Sequence, residues 1–223
     1  MRSNKIAAIH LRRSGKSYRE IEKTLGIAKS TLSGWFKKTP WSHKVKERLS
    51  QIARRQSSQR MKALIKKINR ERKKVYRAAR TAAENQFPSL KKFPLFIAGL
   101  MIYWGEGDRN LKNGMIRVSN TDPALLKLFY LFLQKYLPEI THRIRAYLVL
   151  YPDLNEENCK NFWSKNIEIP VDKFYKSTYI HGRHRTKKLG YGICTITVNN
   201  RAYKEKIYAW LNLIRGEVVN MRV

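Results

Sequence analysis

Carboxylates are scarce in this sequence: 16 Asp and Glu stand against 47 Lys and Arg in 223 residues, a formal net charge of +31. Self-repulsion on that scale opposes compaction unless a polyanion is at hand. Nucleic acid is the first candidate, because neutralised phosphates release counterions on binding; an anionic membrane surface is the alternative. Long hydrophobic runs are missing too. No stretch approaches the roughly 18 apolar residues of a membrane span, and the opening Met1–Lys5 leads into a helix pattern without a signal-type apolar core. The expectation is a cytoplasmic, nucleoid-associated protein with no membrane partner. Cysteine is nearly absent, and Cys159 and Cys194 lie too far apart for a CxxC site. They read as buried free thiols rather than a disulfide or a metal centre. No Ser-His-Asp order and no Gly-rich phosphate loop occurs. Apolar residues still make up 43% and aromatics 11%, enough for a real core.

What is present falls into three stretches. Residues 1–40 read as an all-α unit of three helices. In "KIAAIHLRRSG", Ile6, Ala8 and Ile9 share a face and Gly15 ends the helix. "SYREIEKTLG" opens with a capping box, Ser17 and Glu20, then turns Ile21 and Leu25 inward before Gly26. "IAKSTLSGWFKK" follows with Ile27, Leu32 and Phe36 inward, and Pro40 closes the unit. Residues 41–90 form a basic linker; from Ser42 to Asn85 there is no Gly or Pro. Met61, Ile68, Val75 and Ala82 recur every seven residues, a weak seam interrupted by Glu71. A long basic helix and a disordered basic linker are the two readings, and the first is adopted.

Residues 91–216 have an α+β pattern beginning after Phe87-Pro88. An apolar helix spans Leu95 to Glu106, and Gly114–Asn120 alternates as a strand. Asp122 and Pro123 open a helix with Leu125, Leu128, Phe129, Phe132 and Tyr136 at helical spacing. "HRIRAYLVLYP" is a strand and "NEENCKNFWSKNI" a helix whose acids Glu156 and Glu157 suit its first turn. "KFYKSTYI" and "GYGICTITVNN" are expected to pair across the basic loop His181–Gly190, and an amphipathic helix with Tyr203, Ile207, Trp210, Leu211 and Ile214 inward ends the domain.

Two stretches carry chemistry. On the third N-terminal helix the side chains left over from the core are Lys29, Ser30, Thr31, Ser33, Gly34, Lys37 and Lys38. Hydroxyls and lysines suit base edges and phosphates, and Gly34 permits close approach. "SGKSYREIEKTLGIAKSTLSGWF" resembles the helix-turn-helix of resolvases and transposases, which implies major-groove binding of double-stranded DNA by this helix.

The second is "IAGLMIYWGEGDRN". An acid at a helix C-terminus meets the negative end of the helix dipole, at a cost of a few tenths to about 1 kcal/mol. Ala98, Ile102 and Gly105 lie on one face, where a partner helix could approach. "AGLMIYWGEGD" looks like the LAGLIDADG helix of homing endonucleases, and the resemblance extends over roughly residues 95 to 214. It implies an αββαββα domain, here with one added helix, and a homodimer formed through the 95–106 helix. It also implies Glu106 as catalytic residue and ligand of a Mg²⁺ ion that holds the attacking water. Trp104 is bulkier than the family norm. The family also includes regulators that join such a domain to a helix-turn-helix and have lost the acids, and in such a protein Glu106 is a solvated carboxylate. Arg117, Asn120, Arg145 and Lys176 are the candidates for groups around the attacking water.

Arg117 and Arg145, with Arg183, Arg185 and Lys187 of "HGRHRTKK", are expected to contact phosphates. His181 and His184 are too few for a metal site and sit among repelling cations. Trp163, Phe174, Tyr175 and Tyr179 are read chiefly as core, with base stacking as the alternative. Together these residues predict a sequence-specific DNA-binding protein, a transcription regulator, with a Mg²⁺-dependent dimeric endonuclease as the alternative. An RNA-binding sheet is a third reading.

Overall fold

The computed structural model describes residues 2–180 and 189–220, and side chains from residue 4 onward. Contacts divide the chain into two units, Met1–Glu71 and Arg72–Val223.

The first unit holds α1 (Arg2–Arg13), α2 (Tyr18–Leu25), α3 (Lys29–Phe36) and the start of α4 (Pro40–Leu90). Its core is small: Ala8, Ile21, Leu32 and Phe36 are buried, with Ile9, Leu11, Tyr18, Leu25, Ile27, Trp35 and Trp41 packed around them. Of the shared face Ile6, Ala8 and Ile9, Ala8 and Ile9 meet the core, whereas Ile6 is 67% exposed and Leu11 packs there instead. Pro40 does not close this unit. It is the first residue of α4, a position where its missing N–H costs nothing. The following turn belongs to the same core: Phe36 and Trp41 meet edge-on at 5.5 Å, and the nearly buried Arg12 donates to Ser42 Oγ at 3.1 Å and to its carbonyl at 3.0 Å. Burial lowers the Arg12 pKa, and Tyr18 partly offsets that.

The linker is helical throughout, as α4 covers 51 residues. Its sevenfold seam is not buried, for Met61, Leu64, Ile68 and Val75 are all exposed. The expected boundary at Phe87-Pro88 moves. Helix α4 carries through Pro88 to Leu90, and Ala83 and Phe87 lie in the core of the second unit. Pro88 removes one helical hydrogen bond near the end; the burial of Phe87 offsets it at about 1.5–3 kcal/mol for a large apolar side chain.

The second unit continues with α5 (Pro94–Glu106), β1 (Met115–Asn120), α6 (Pro123–Tyr136), β2 (Arg145–Leu150), α7 (Glu156–Ile167), β3 (Thr178–Tyr179), β4 (Ile193–Asn199) and α8 (Arg201–Asn220). It is α+β, with one mixed four-stranded sheet in the order β1-β4-β2-β3. This corrects the expected αββαββα order. Among the described residues only one strand separates α5 from α6. The place of a second is taken by an extended exit from α5, where Gly107 bridges Val118 and Asp108 N donates to Arg117 O at 2.9 Å. The expected pairing of the last two strands also fails. β4 inserts between β1 and β2, antiparallel to both, and the two-residue β3 runs parallel to β2 at the edge.

Alternation along the strands sends Ile116, Val118, Ala146, Leu148, Leu150, Cys194, Ile196 and Val198 into the core. Phe96, Phe132, Tyr136 and Trp210 form an aromatic cluster with Phe96 at its centre, 5.0 Å from Trp210. Helix α5 lies so close to α6 that a Cβ at Gly99 would fall 2.2 Å from the Phe132 ring. On α6, Leu126 and Leu133 are buried, whereas Leu128, expected inward, is 43% exposed. Cys159 and Cys194 are free and buried, as read, and burial raises both thiol pKa values.

Candidate nucleic-acid interface

The outer face of α3 is held out by local geometry. Ser17 Oγ accepts from Glu20 N at 3.2 Å and Glu20 returns a bond to Ser17 N at 2.8 Å, which closes the expected capping box on α2. Gly26, at φ 67°, turns the chain through a conformation that side chains resist. Glu22 then meets the start of α3, accepting from Lys29 N at 3.2 Å and pairing with its ammonium at 3.3 Å. With Leu32 and Phe36 buried, Ser30, Thr31 and Gly34 are exposed and Ser33 is half-buried. Lys37 and Lys38 follow, both exposed. Of the three lysines here, Lys29 alone is in an ion pair among the described residues.

A second polar surface is the sheet face turned away from the core. Register places Arg117, Thr197 and Arg145 in one row, and Ser119, Thr195 and Tyr147 in the next. Two strand spacings separate the arginine backbones, about 10 Å. Below that row is an open cavity of about 430 Å³ lined by Met115, His142, Arg143, Arg145, Tyr175, Thr197 and Asn199. His142 and Arg143 have no sequence signal: they end a 3₁₀ stretch, Pro138–Arg143, whose position only the fold provides. Tyr175 is exposed rather than core, and Trp163 is buried, donating from its indole to Tyr191 O at 2.8 Å. Arg183, Arg185, Lys187 and the two histidines of the basic loop lie outside the described residues.

Two acids lie close together at the end of α5 and just beyond it, and fare differently. Glu106 is exposed and makes no hydrogen bond or ion pair among the described residues, so solvent screens its clash with the helix dipole. Gly107 follows the helix in an extended conformation, at φ −80°, ψ 150°, rather than the left-handed one common after helix ends. Glycine is needed there because a Cβ would lie 2.2 Å from Tyr103 O. Asp108, two residues on, is the organised carboxylate. Its side chain is 8% exposed and accepts from Asn110 N at 2.8 Å, Asn113 Nδ2 at 2.8 Å and Arg117 at 3.1 Å. Lys204, wholly buried on α8, stands 3.7 Å away and donates to Asn110 O at 2.9 Å and Asn113 Oδ1 at 3.1 Å. Burial alone would raise the Asp108 pKa, but the hydrogen bonds and the two cations outweigh it and hold the group below its usual value. Burial lowers the Lys204 pKa against the pull of Asp108.

These contacts decide what the segment can hold. A Mg²⁺ site needs several oxygen ligands, and of the two carboxylates in this segment only that of Glu106 is unengaged among the described residues, because both oxygens of Asp108 accept hydrogen bonds. No group of three His, Cys, Asp or Glu side chains suited to a metal exists among the described residues. Of the other candidates, Asn120 accepts from Thr121 N and Asp122 N at the entry to α6, and Lys176 is exposed. No helix of the described residues is long and apolar enough to cross a membrane.

No protein-family model matches this chain, and no curated protein or solved structure is significantly similar to it.

Proposed function

We propose that this is a sequence-specific double-stranded DNA-binding protein, a transcription regulator acting in the cytoplasm at the nucleoid. Its α1–α3 unit is a helix-turn-helix, and its second unit is a LAGLIDADG-like domain that has kept the α5 helix and dropped one strand. The observation that carries the reading is the outer face of α3, where hydroxyls, a glycine and lysines stand clear of the core on a chain of net charge +31. Lysines add the salt-dependent phosphate contacts, and Ser30, Thr31 and Ser33 have the donors and acceptors to read base edges. The row Arg117–Thr197–Arg145, with His142 and Arg143, supplies a second phosphate-binding surface. Arg117 serves it as a cation half-neutralised and oriented by Asp108.

The test is selection of bound duplexes from a random library. A recurring motif is expected, and Lys29→Gln with Lys37→Gln should lower the slope of log affinity against log salt by about 2. Failure to enrich any motif, or an unchanged slope, overturns the recognition-helix reading.

The second reading is a homodimeric endonuclease. It is favoured by one observation: Ala98, Met101, Ile102 and Gly105 leave the outward face of α5 apolar and only partly covered, with Glu106 at its end. A second copy packed there would bring two Glu106 carboxylates together. Incubating the selected duplex with Mg²⁺ separates the readings. A regulator leaves the duplex intact, whereas cleavage abolished by Glu106→Gln, with binding kept, establishes the enzyme.

A further inference from the structure

Trp104 takes part in neither reading, yet this large residue is 45% exposed. Its surroundings are specific. Beside the C-terminal end of α5 a cavity of about 210 Å³ is lined by Trp104, Tyr208, Leu211, Asn212, Arg109 and Arg215. The Arg215 guanidinium sits 5.8 Å from the Trp104 ring centroid. Neither Arg109 nor Arg215 is in an ion pair among the described residues. The floor is rigid: Tyr103 and Tyr208 meet edge-on at 6.2 Å, and both hydroxyls donate to Asp108 O, at 3.2 and 3.5 Å.

An exposed indole face, two uncompensated guanidiniums and a carboxamide make a particular request of a ligand. The indole and the guanidiniums offer stacking surfaces, and the arginines want a phosphate in fork geometry. Asn212 can give and accept a hydrogen bond at a ring edge. Pockets for drug-sized molecules run to roughly 300–1,000 Å³, so this smaller one takes a single ring system. A planar heterocycle joined to a phosphate meets each condition. Stacked bases inside a duplex cannot enter, because their faces are already covered.

We propose that Trp104, Tyr208, Arg109, Asn212 and Arg215 bind one unstacked nucleotide of single-stranded nucleic acid, its base against Trp104 and its phosphate at the arginines. The proposal rests on the reading of the chain as a nucleic-acid binder and adds to it a contact that duplex binding does not need. Such a contact would hold a strand end, or a nucleotide displaced from a distorted duplex.

The test measures binding of a fluorescein-labelled dT octamer to the full chain by anisotropy, with a library-selected duplex in parallel. Trp104→Leu keeps apolar bulk and removes the π face. It should weaken octamer binding about tenfold, as loss of one stacked base does, and leave the duplex affinity unchanged. Trp104→Phe should recover most of the loss, which a merely packing role would not require. Arg109→Gln with Arg215→Gln, both at the surface, should lower the octamer salt slope by up to about 1.4. Octamer binding that is indifferent to Trp104→Leu, or lost equally in the Leu and Phe variants, overturns the site. If the octamer depends on Trp104 while no duplex is bound, the site stands and the duplex-regulator reading falls. If the duplex is bound through Lys29 and Lys37 and the octamer ignores Trp104, the site falls alone.

Discussion

The polar contacts that shape the candidate surfaces differ in span between the two units. In the first, the interactions that shape the candidate surface are local: Ser17 with Glu20, and Glu22 with Lys29. In the second, the polar centre is assembled from afar. Lys204 reaches back to Asn110, 94 residues earlier, and Trp210 donates to Ala83 O, 127 residues earlier, at 3.1 Å. Local polar pairs can fail singly at small cost. A buried cation held by three residues of one distant loop is costlier to lose, since removing it takes one of two cations from Asp108 and leaves the Asn110 carbonyl and Asn113 Oδ1 short of a donor.

The largest expected effect breaks this contrast directly. Lys204→Met should destabilise the second unit by about 3 kcal/mol or more, read as faster amide hydrogen exchange throughout β1, β4 and α8, with α1–α3 unchanged. Equal loosening of both units would show that the two cores are not independent in energy. Ser17→Ala comes next. It should cost about 1 kcal/mol, confined to exchange in α1–α3, because the cap serves only the first unit.

The smallest effect belongs to a local pair inside the second unit. Glu156, in the first turn of α7, pairs with Lys160 at 2.8 Å and accepts from Ser177 N at 3.0 Å, which lowers its pKa to about 2. A depressed carboxylate contributes stability above its unfolded pKa and loses it as pH falls through the folded one. The stability gap between the native chain and Glu156→Gln should therefore be full at neutral pH and close between about pH 5 and 2. It should stay under about 1 kcal/mol, since the side chain is 30% exposed and screened. Urea titrations across that range measure it. A gap that persists at low pH would mean that Glu156 acts through packing instead.

The same contrast explains how much could be read in advance. The N-terminal helices, the capping box, the inward Leu32 and Phe36 and the outward α3 residues follow from periodicity and cap chemistry within a few residues of one another. The long helix and most of the later elements were legible for the same reason. Strand order was not. "KFYKSTYI" and "GYGICTITVNN" are neighbours in sequence, but β4 has the apolar alternation and length to fill the centre of the sheet, which leaves β3 at the edge. At the candidate site, Glu106 drew the eye because its position is locally anomalous. The organised acid is Asp108: its bonds to Asn110, Asn113 and Arg117 are local, but the buried cation beside it, Lys204, comes from α8. Likewise, Ala83 and Phe87 read as linker because their partners lie beyond it: Phe96 on α5 for Phe87, and Trp210, 127 residues downstream, for Ala83.

That last contact sets where this protein can be cut. A fragment beginning at Pro88 would strip the Ala83 carbonyl from the Trp210 indole and the Phe87 ring from Phe96, which lie 6.3 Å apart between centroids. It would open the aromatic cluster to water beside Phe96 and Trp210. The shortest autonomous version of the second unit must therefore carry the end of the basic helix with it, starting near Arg72. What reads as a tether in sequence is, over its last turns, part of the domain it leads to.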